Sequence, residues 1–536
     1  MNNRTARGTR LGLFAAAALA IAVPVSLAGT AAASTPVASA PTVVRPVEQW
    51  TSRTVAPGVE VRTGTVTNPA SVHTWTVTVH APATNRLTGA PTWAPVGTQA
   101  WAAETEGKLR AAGFEPRVTP ITWPGYADTP RGLMGVRVRI GSFATQAEAS
   151  GAASKVTAAG FRTAVDWTGY DADQPADREN INVAVIDPRR FRGTVEATHD
   201  GNVAQRETTS SVAAKLGSLV GVNGGFFLTS STDGVQGNVA GVAAYDGELA
   251  SMAVGARAAL IIEDGGRRNR IADLTTTVTA RVGHATFDVG GVNRTPGLVR
   301  NCGRPGGVPT SEPRHDVTCT LADDMVAFTG QYVRELPAGP GAQAVLDSRG
   351  RVLSAGPRGG TVTPGQTVLQ GIGAASGWLT EHAVPGAKVS VKKVVRDTRG
   401  RKVELGPDDS IVSAAPTLVE DGRVHIDAAT EGTLDPLDLS FGYAWSNVRQ
   451  PRTMAGIDRQ GRLLLVTVDG RLSGGSEGFT LAEGAAFMRS LGAEQALNLD
   501  GGGSSAMVVQ GTLVNRPSDA AGERAVGDTI QVLPGH

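Results

Sequence analysis

The stretch with the clearest chemical potential in this 536-residue chain is NLDGGGSSAM, residues 498–507. A carboxylate, Asp500, is followed by a run of backbone and hydroxyl donors: Gly501, Gly502, Gly503, Ser504 and Ser505. Glycine adopts positive φ without strain, so successive N–H groups can turn toward one point and bind an anion. A carboxylate beside an anion site suits a substrate with a phosphate and an electrophilic carbon. A tight structural turn capped by Asp500 explains the decamer equally well.

Other polar residues favour a binding site over a simple turn. The stretch GVNGGFF, residues 221–227, places the Asn223 amide beside Gly224, where backbone can approach a ligand closely. Four charged side chains in the last 85 residues complete the candidate set: Arg452, Asp469, Glu523 and Arg524. The two arginines could clamp a phosphate bidentately.

Several common chemistries lack their motifs. There is no HExxH and no Walker loop, and the 8 histidines are scattered without ligand spacing. The sequence GGSSA does not match the G-x-S-x-G elbow of serine esterases, because Ala506 stands where the last glycine should be. Net charge is +1, from 50 basic and 49 acidic residues, which argues against a nucleic-acid partner.

The residues around the decamer predict how it is positioned. Strand signals dominate residues 181–536, which we interpret as one large, strand-rich mixed α/β domain. A helix is predicted over 481–490, with Thr480 and Glu483 at capping-box spacing. A buried strand over 496–499 then leads into Asp500, and a hairpin with its turn at Gln510–Gly511 follows.

An internal repeat predicts a second, smaller domain over residues 73–170. The segment AAGFEPRV, residues 111–118, recurs as AAGFRTAV, residues 158–165, each after a helix-like run that follows an alternating strand. Gly113 and Gly160 fit the position just past each helix. The pattern predicts a ferredoxin-like four-stranded sheet with two helices on one face, and therefore an α+β chain overall.

The remaining segments indicate export. Residues 1–33 have the basic start, apolar run and small-residue end of a signal peptide, although the apolar run also approaches the length of a membrane anchor. Residues 34–72 and 171–180 are interpreted as linkers, and no membrane contact is expected after signal removal. Cys302 and Cys319 flank a segment rich in glycine and proline, which favours a disulfide in an oxidising compartment.

Six motifs in fixed order, NGGFF, RTMAGIDRQGRL, VDGR, NLDGGGSSAMV, PSD and ERAV, resemble the phosphodiester glycosidase family. Its mammalian member removes N-acetylglucosamine from a sugar-1-phosphate diester. The resemblance implies cleavage between an anomeric carbon and a phosphate oxygen. We hypothesise that the glycine nest, its serines and both arginines hold the phosphate, that Asn223 binds sugar hydroxyls, and that Gly224 belongs to the same substrate- or phosphate-binding set. Asp500 or Glu523 would be base or nucleophile, with Asp469 as a third candidate.

The smaller domain resembles the SPOR family, which binds peptidoglycan glycan strands stripped of stem peptides. The repeat and VRVRIGSFATQAEA, residues 136–149, carry this resemblance, while an insertion at residues 83–97 departs from it. A generic spacer module is the alternative. The leading hypothesis is a secreted enzyme that trims phosphodiester-linked sugars from cell-wall glycopolymers. The alternatives are a non-catalytic wall-binding protein and a hydrolase of phosphate-free glycans. No cofactor is required, although a divalent cation near Asp500 is compatible with the residues.

Overall fold

The computed structural model describes residues 49–85, 89–302 and 313–535, all of which belong to one compact unit. The expected signal peptide and its cleavage site lie outside these residues. In the described part of the chain, no helix is long and apolar enough to cross a membrane.

Strands outnumber helices along the whole described chain. The first part contains β1 (Gln49–Ala56), β2 (Val59–Thr67), β3 (Trp75–Val79), β4 (Ala81–Thr84), β5 (Pro91–Ala94), α1 (Gln99–Ala111), β6 (Pro116–Thr122), β7 (Leu133–Phe143), α2 (Gln146–Ala158), β8 (Thr163–Trp167) and a 3₁₀ turn at Thr168–Tyr170. The middle contains β9 (Arg178–Ile186), β10 (Thr194–Thr198), α3 (Thr209–Leu216), β11 (Val220–Asn223), β12 (Ala243–Tyr245), β13 (Glu248–Ser251), β14 (Arg257–Glu263), β15 (Arg268–Val282), β16 (Ala285–Asp288), β17 (Gly291–Val292), β18 (Leu298–Arg300), β19 (Thr318–Thr320), β20 (Asp324–Phe328), β21 (Gly339–Leu346), β22 (Val352–Arg358) and β23 (Thr367–Ile372). The last part contains α4 (Ala374–His382), β24 (Ser390–Asp397), β25 (Lys402–Val403), β26 (Ser410–Ser413), β27 (Thr417–Glu420), β28 (Arg423–Val424), α5 (Leu439–Ser446), β29 (Arg452–Asp458), β30 (Leu463–Val468), α6 (Leu481–Ser490), β31 (Ala493–Asn498), a 3₁₀ turn at Gly502–Ser504, β32 (Met507–Val509), β33 (Thr512–Leu513) and β34 (Thr529–Leu533).

The repeat forms the four-stranded sheet that its pattern predicts. Strands β3, β6, β7 and β8 pair antiparallel in the order β6-β7-β3-β8, and one core buries side chains of both helices against the sheet. The capping box of Thr145 and Glu148 is present, and Gly113 and Gly160 have φ of +83° and +95° after the helices. Strands β4 and β5 pair antiparallel, and most of this pair lies in the inserted residues 83–97.

The larger region is built mainly from four sheets. Their strand orders are β1-β2-β9-β30-β29-β31-β27-β28, β10-β34-β11-β32-β33, β13-β12-β26-β14-β15-β24-β25 with β16 on β15, and β17-β20-β23-β21-β22. The first is buried on both faces: Leu463 and Leu465 of β30 pack in one core, while Leu464 and Val466 pack in another with α6. A strand buried on both faces explains the continuous apolar run LLLVTV.

Both segments interpreted as linkers contain structure, so those interpretations are wrong in part. Strands β1 and β2 lie within residues 34–72, and β2 pairs with β9 from Val59↔Ile186 to Thr67↔Arg178. Val59, Val61 and Val66 of β2 are buried, a signal that surrounding prolines and threonines obscured. Residues 178–180 already belong to β9, and Asp171 is buried where Arg137 and Arg139 of β7 bind it.

The candidate site lies where the first two sheets meet. β31 ends at Asn498 in the first sheet and β32 begins at Met507 in the second, so the loop with Asp500 crosses between them. β11 ends beside this loop at Asn223 and pairs with β32. The predicted hairpin is confirmed, with Val509 opposite Thr512 and positive φ at Gln510 and Gly511. The predicted helix and its capping box are confirmed in α6.

Candidate functional site

The main chain of Asp500 is fixed by the turn that follows β11. Its amide donates to the Gly224 carbonyl oxygen over 3.1 Å, and its own carbonyl accepts from Asn223 Nδ2 over 2.8 Å. Strand end and glycine turn therefore hold the Asp500 loop from two directions. This is the juxtaposition that the two glycine-rich motifs predict.

Asn223 is a positioning residue in this arrangement. It is fully buried, and its Oδ1 accepts from Thr453 Oγ1 over 2.7 Å and from the Ala506 amide over 3.1 Å. Nδ2 donates to the Asp500 carbonyl and, over 3.4 Å, to the Gly224 carbonyl, so both of its hydrogens are used and none is left for a sugar hydroxyl. The hypothesis that Asn223 binds sugar is therefore not supported by the geometry.

Asp528, which the sequence analysis missed, supports the same turn from behind. Its Oδ1 accepts from the Gly225 amide and its Oδ2 from the Tyr245 hydroxyl, both over 2.8 Å. A Cβ at Gly224 would stand 2.3 Å from Asp528 Oδ1, so glycine is required there for this contact rather than for a ligand. Burial raises the pKa of Asp528 to about 6.

The carboxyl group of Asp500 has a raised pKa of about 6. Burial is the main cause, and it is opposed by the neighbouring Ser504 hydroxyl and by the Gly501 amide, which donates to Asp500 Oδ1 over 2.9 Å. The charge of Arg524 also lowers this pKa, while that of Asp316 raises it. A carboxyl group that has charged neighbours and a pKa raised toward 7 is typical of a reactive site.

The three glycines allow arginine side chains to lie directly on the backbone. A Cβ at Gly503 would stand 2.2 Å from Arg524 Nη2 and from Asp519 Oδ1, and one at Gly502, whose φ is +60°, would stand 3.1 Å from Arg471 Nη2. The amides of Gly501 and Gly502 are used internally, by Asp500 Oδ1 and the Pro451 carbonyl. The expected nest of backbone donors is therefore replaced in part by guanidinium groups.

Arg471 and Arg524 are the cations of the site. Arg524 is held by Asp519 through two hydrogen bonds of 2.8 and 3.0 Å. Arg471, which the sequence analysis passed over at the end of VDGR, is exposed and donates to Gln450 Oε1 over 2.7 Å. Desolvation, followed by the charge of Arg524, lowers the pKa of Arg471. Two neighbouring guanidinium groups with one carboxylate partner leave positive charge for an anion.

Arg452 does not join this pair. Its guanidinium is buried, donates to the carbonyls of Phe479 over 2.9 Å and Trp445 over 3.2 Å, and lies 5.8 Å from the Trp445 ring centre. Burial lowers its pKa to about 10. Arg452 therefore positions Trp445 instead of clamping a phosphate with Arg524.

Two of the three candidate carboxylates have structural partners. Glu523 accepts from the amide and hydroxyl of Ser210, the second residue of α3, and so caps that helix. Asp469 is 5% exposed, accepts from the Arg516 amide over 2.9 Å, and has a pKa raised by burial. Asp500 is thus the candidate whose surroundings fit chemistry.

The predicted disulfide is confirmed between Cys302 and Cys319, with Cα atoms 5.8 Å apart. It links Cys302, two residues after β18, to Cys319 in β19, and His315 and Asp316 lie shortly before β19. The His315 ring lies 4.1 Å from the Phe226 ring and 4.7 Å from the Trp445 ring. This aromatic group was not anticipated from the sequence.

No cluster of three or more His, Cys, Asp or Glu residues suited to a metal occurs within residues 49–85, 89–302 and 313–535. The dependence on a divalent cation stays a prediction. A cavity of about 800 Å³ opens elsewhere, between the end of β6 and α6, with Trp123, Tyr126 and Tyr443 in its wall. Neither Asp500 nor the paired arginines line it.

Known proteins match the region that carries the site. Residues 340–533 match the phosphodiester glycosidase family profile. A mouse N-acetylglucosamine-1-phosphodiester alpha-N-acetylglucosaminidase is 34% identical over 116 residues, which are 22% of this chain and 22% of the mouse protein. The chain thus matches about a fifth of that relative's length.

Solved structures extend the similarity over most of the chain. The crystal structure of a candidate exported protein from Burkholderia pseudomallei K96243 is 32% identical, with a TM-score of 0.78, and covers 91% of this chain and 96% of its own. A hypothetical protein from Synechocystis shares the fold alone, at 16% identity and a TM-score of 0.51, over 91% of this chain and 80% of its own. The order of the motifs agrees with the matched C-terminal region, and residues 340–533, which contain Arg471, Asp500 and Arg524, belong to the phosphodiester glycosidase family.

Proposed function

We propose that the protein is a hydrolase that cleaves the bond between C1 of a sugar and a phosphate oxygen in a sugar-1-phosphodiester. The observation that carries this proposal is the placement of Asp500 beside Arg471 and Arg524 on a glycine turn. The curated mouse relative is a glycosidase of N-acetylglucosamine-1-phosphodiesters. Its chemistry comes to this chain as a proposal.

The residues suit the demands of that reaction. The phosphate that departs from C1 is already a good leaving group. The site therefore needs to stabilise an anion more than it needs a strong general acid. Arg471 and Arg524 supply charge for the departing phosphate. The buried hydroxyl of Ser505, which has no protein partner among the described residues, is a further donor. Asp500 is largely ionised at pH 7, as a base or nucleophile must be.

The substrate and its location belong to the same proposal. Secretion is supported by the disulfide and by the similarity to a candidate exported protein. The βαββαβ order of residues 75–167 supports a SPOR-type module that binds peptidoglycan glycan strands, and hence a cell-wall glycopolymer as substrate. Arg137 of this module donates to Tyr443 over 2.8 Å, and Trp167 Nε1 donates to Glu477 over 2.8 Å. These contacts dock the module on the body of the enzyme.

A panel of substrates tests the proposal. The full chain should release free sugar from methyl esters of N-acetylglucosamine-1-phosphate or glucose-1-phosphate, and not from the corresponding methyl glycosides without phosphate. Asp500→Asn should stay folded and lose turnover. Release from phosphate-free glycosides would favour a polysaccharide hydrolase, and binding without release would favour a wall-binding protein. Repeating the panel with chelator decides the metal question.

A second assay separates the wall-binding part of the proposal. The full chain should co-sediment with purified peptidoglycan whose stem peptides have been removed by an amidase. Intact peptidoglycan should retain less protein. Equal retention on both would leave the module as a structural spacer.

A further inference from the structure

The segment after residue 312 lies against the turn that holds Asp500. Its His315 ring packs on Phe226. Phe226 lies two residues after Gly224, whose carbonyl accepts a hydrogen bond from the Asp500 amide. Trp445 closes the group, with its ring 5.9 Å from Phe226. Residues 313–319, the disulfide-linked segment, therefore contribute one wall of the candidate site.

Asp316 is held in this wall by specific bonds. Its amide donates to Asn301 Oδ1 over 3.0 Å, and Asn301 Nδ2 donates to the Ala240 carbonyl over 2.6 Å. Arg300 Nη2 donates to Asp316 Oδ1 over 2.5 Å. The side chain is nevertheless 57% exposed, so its carboxylate can still accept hydrogen bonds from a ligand. The charge of Asp316 contributes to the raised pKa of Asp500, after the larger effect of burial.

A buried arginine with unpaired donors lies beside this wall. Arg257 is 4% exposed and lies 5.9 Å from the Phe226 ring centre. Its Nε donates to the Glu431 carbonyl, whereas Nη1 and Nη2 have no partner in the described part of the chain. Buried donors are nearly always satisfied, so an acceptor-rich group, such as ordered water or the hydroxyls of a ligand, is expected next to them.

We propose that this wall is the sugar-binding side of the site, where Asp316 accepts hydrogen bonds from hydroxyls of a sugar ring that packs on Trp445. The inference rests on the proposed function and deepens it, because it separates sugar recognition from phosphate recognition. Aromatic faces backed by a few placed polar groups are the usual lining of ligand sites. Arg471 and Arg524, which come from other loops, remain the residues for phosphate.

Binding of the two halves of the substrate tests the separation. Titration calorimetry on the full chain would measure free N-acetylglucosamine, glucose and inorganic phosphate one at a time. Asp316→Asn should weaken sugar binding roughly tenfold, because a hydrogen bond to a charged group is lost, and should leave phosphate binding unchanged. Glu381→Gln, which alters a carboxylate 76% exposed on α4, is the matched control and should change neither.

A second variant tests whether the disulfide that holds residues 313–319 is needed for sugar binding. Cys302→Ser with Cys319→Ser should weaken sugar binding as Asp316→Asn does, provided that circular dichroism shows a folded protein; if it does not fold, Asp316→Asn decides. An unchanged sugar affinity in Asp316→Asn, or an equal loss for sugar and phosphate, would overturn the inference. Hydrolysis by the wild type with an unchanged KM in Asp316→Asn would overturn this inference alone. Asp316-dependent sugar binding without hydrolysis would overturn only the proposed function.

Discussion

The ionised carboxylate of Asp500 should lower the free energy of unfolding at neutral pH, and Asp500→Asn should raise it again. The pKa of this carboxyl group rises from 3.8 to about 6 on folding, chiefly through burial. Between these values the folded protein keeps a proton that the unfolded chain releases. The free energy of unfolding therefore falls as the pH rises from about 4 to about 6 and levels off above that.

The size of the effect follows from the shift. About two pKa units at about 1.4 kcal/mol each give an upper bound near 3 kcal/mol. The side chain is only partly buried, so solvent screening reduces this, and we expect roughly 1–2 kcal/mol. An asparagine can still accept the Gly501 amide through Oδ1, so the substitution need not lose that hydrogen bond.

The assay is a set of urea unfolding midpoints for wild type and Asp500→Asn at pH 4.5, 5.5, 6.5 and 7.5. The variant should gain stability over the wild type as the pH rises, and this gain should be smallest at pH 4.5. The difference between midpoints is the quantity to compare, because a chain of 536 residues need not unfold in two states. Asp528 titrates similarly in both proteins and cancels. Glu404→Gln, 75% exposed, is the control. A difference that does not change with pH would refute the reasoning.

Further outcomes concern activity on a sugar-1-phosphodiester. Wild-type turnover should rise with pH around an apparent pKa of about 6 as Asp500 ionises, and a flat profile from pH 5 to 7 would contradict that role. Arg471→Gln should raise KM about tenfold and weaken inhibition by inorganic phosphate, which initial rates would show. Gly503→Ala should abolish turnover, because its Cβ would stand 2.2 Å from Arg524 Nη2. Glu523→Gln should lower the thermal midpoint by removing a cap, with kcat retained; a folded variant without turnover would return Glu523 to the mechanism.

Much of the local structure could be predicted because its signals are local. Thr480 and Glu483 predict the start of a helix, and Gln510 and Gly511 predict a hairpin turn. Each of these signals spans four residues or fewer. The repeat likewise encodes its strands and helices within one domain. Strand β2 could not be found this way, because its partner β9 lies more than 100 residues further along the chain.

The candidate site was found only in outline for the same reason. Asp500 could be singled out because a carboxylate at a strand end before three glycines is unusual in itself. Arg471 has a φ of +58°, which arginine rarely adopts, and the neighbouring residues do not predict this conformation. Asp316 is positioned by a disulfide-linked segment and by bonds with Asn301 and Arg300, which no spacing in the sequence reveals.

The buried candidates show why residue type alone cannot assign roles. Asn223, Arg452 and Asp469 are polar residues inside the characteristic motifs, yet each is committed to backbone or side-chain partners in the interior. A buried polar group without a partner is costly. The buried backbone groups of the Asp500 loop therefore need polar side chains as hydrogen-bond partners, and these side chains support the loop without meeting the substrate. The motif therefore contains the support as well as the reacting groups. The residues that retain exposed charge, Arg471, Arg524 and Asp316, are the ones that a substrate can meet, and substitutions there should change binding, whereas substitutions at the buried three should change folding first.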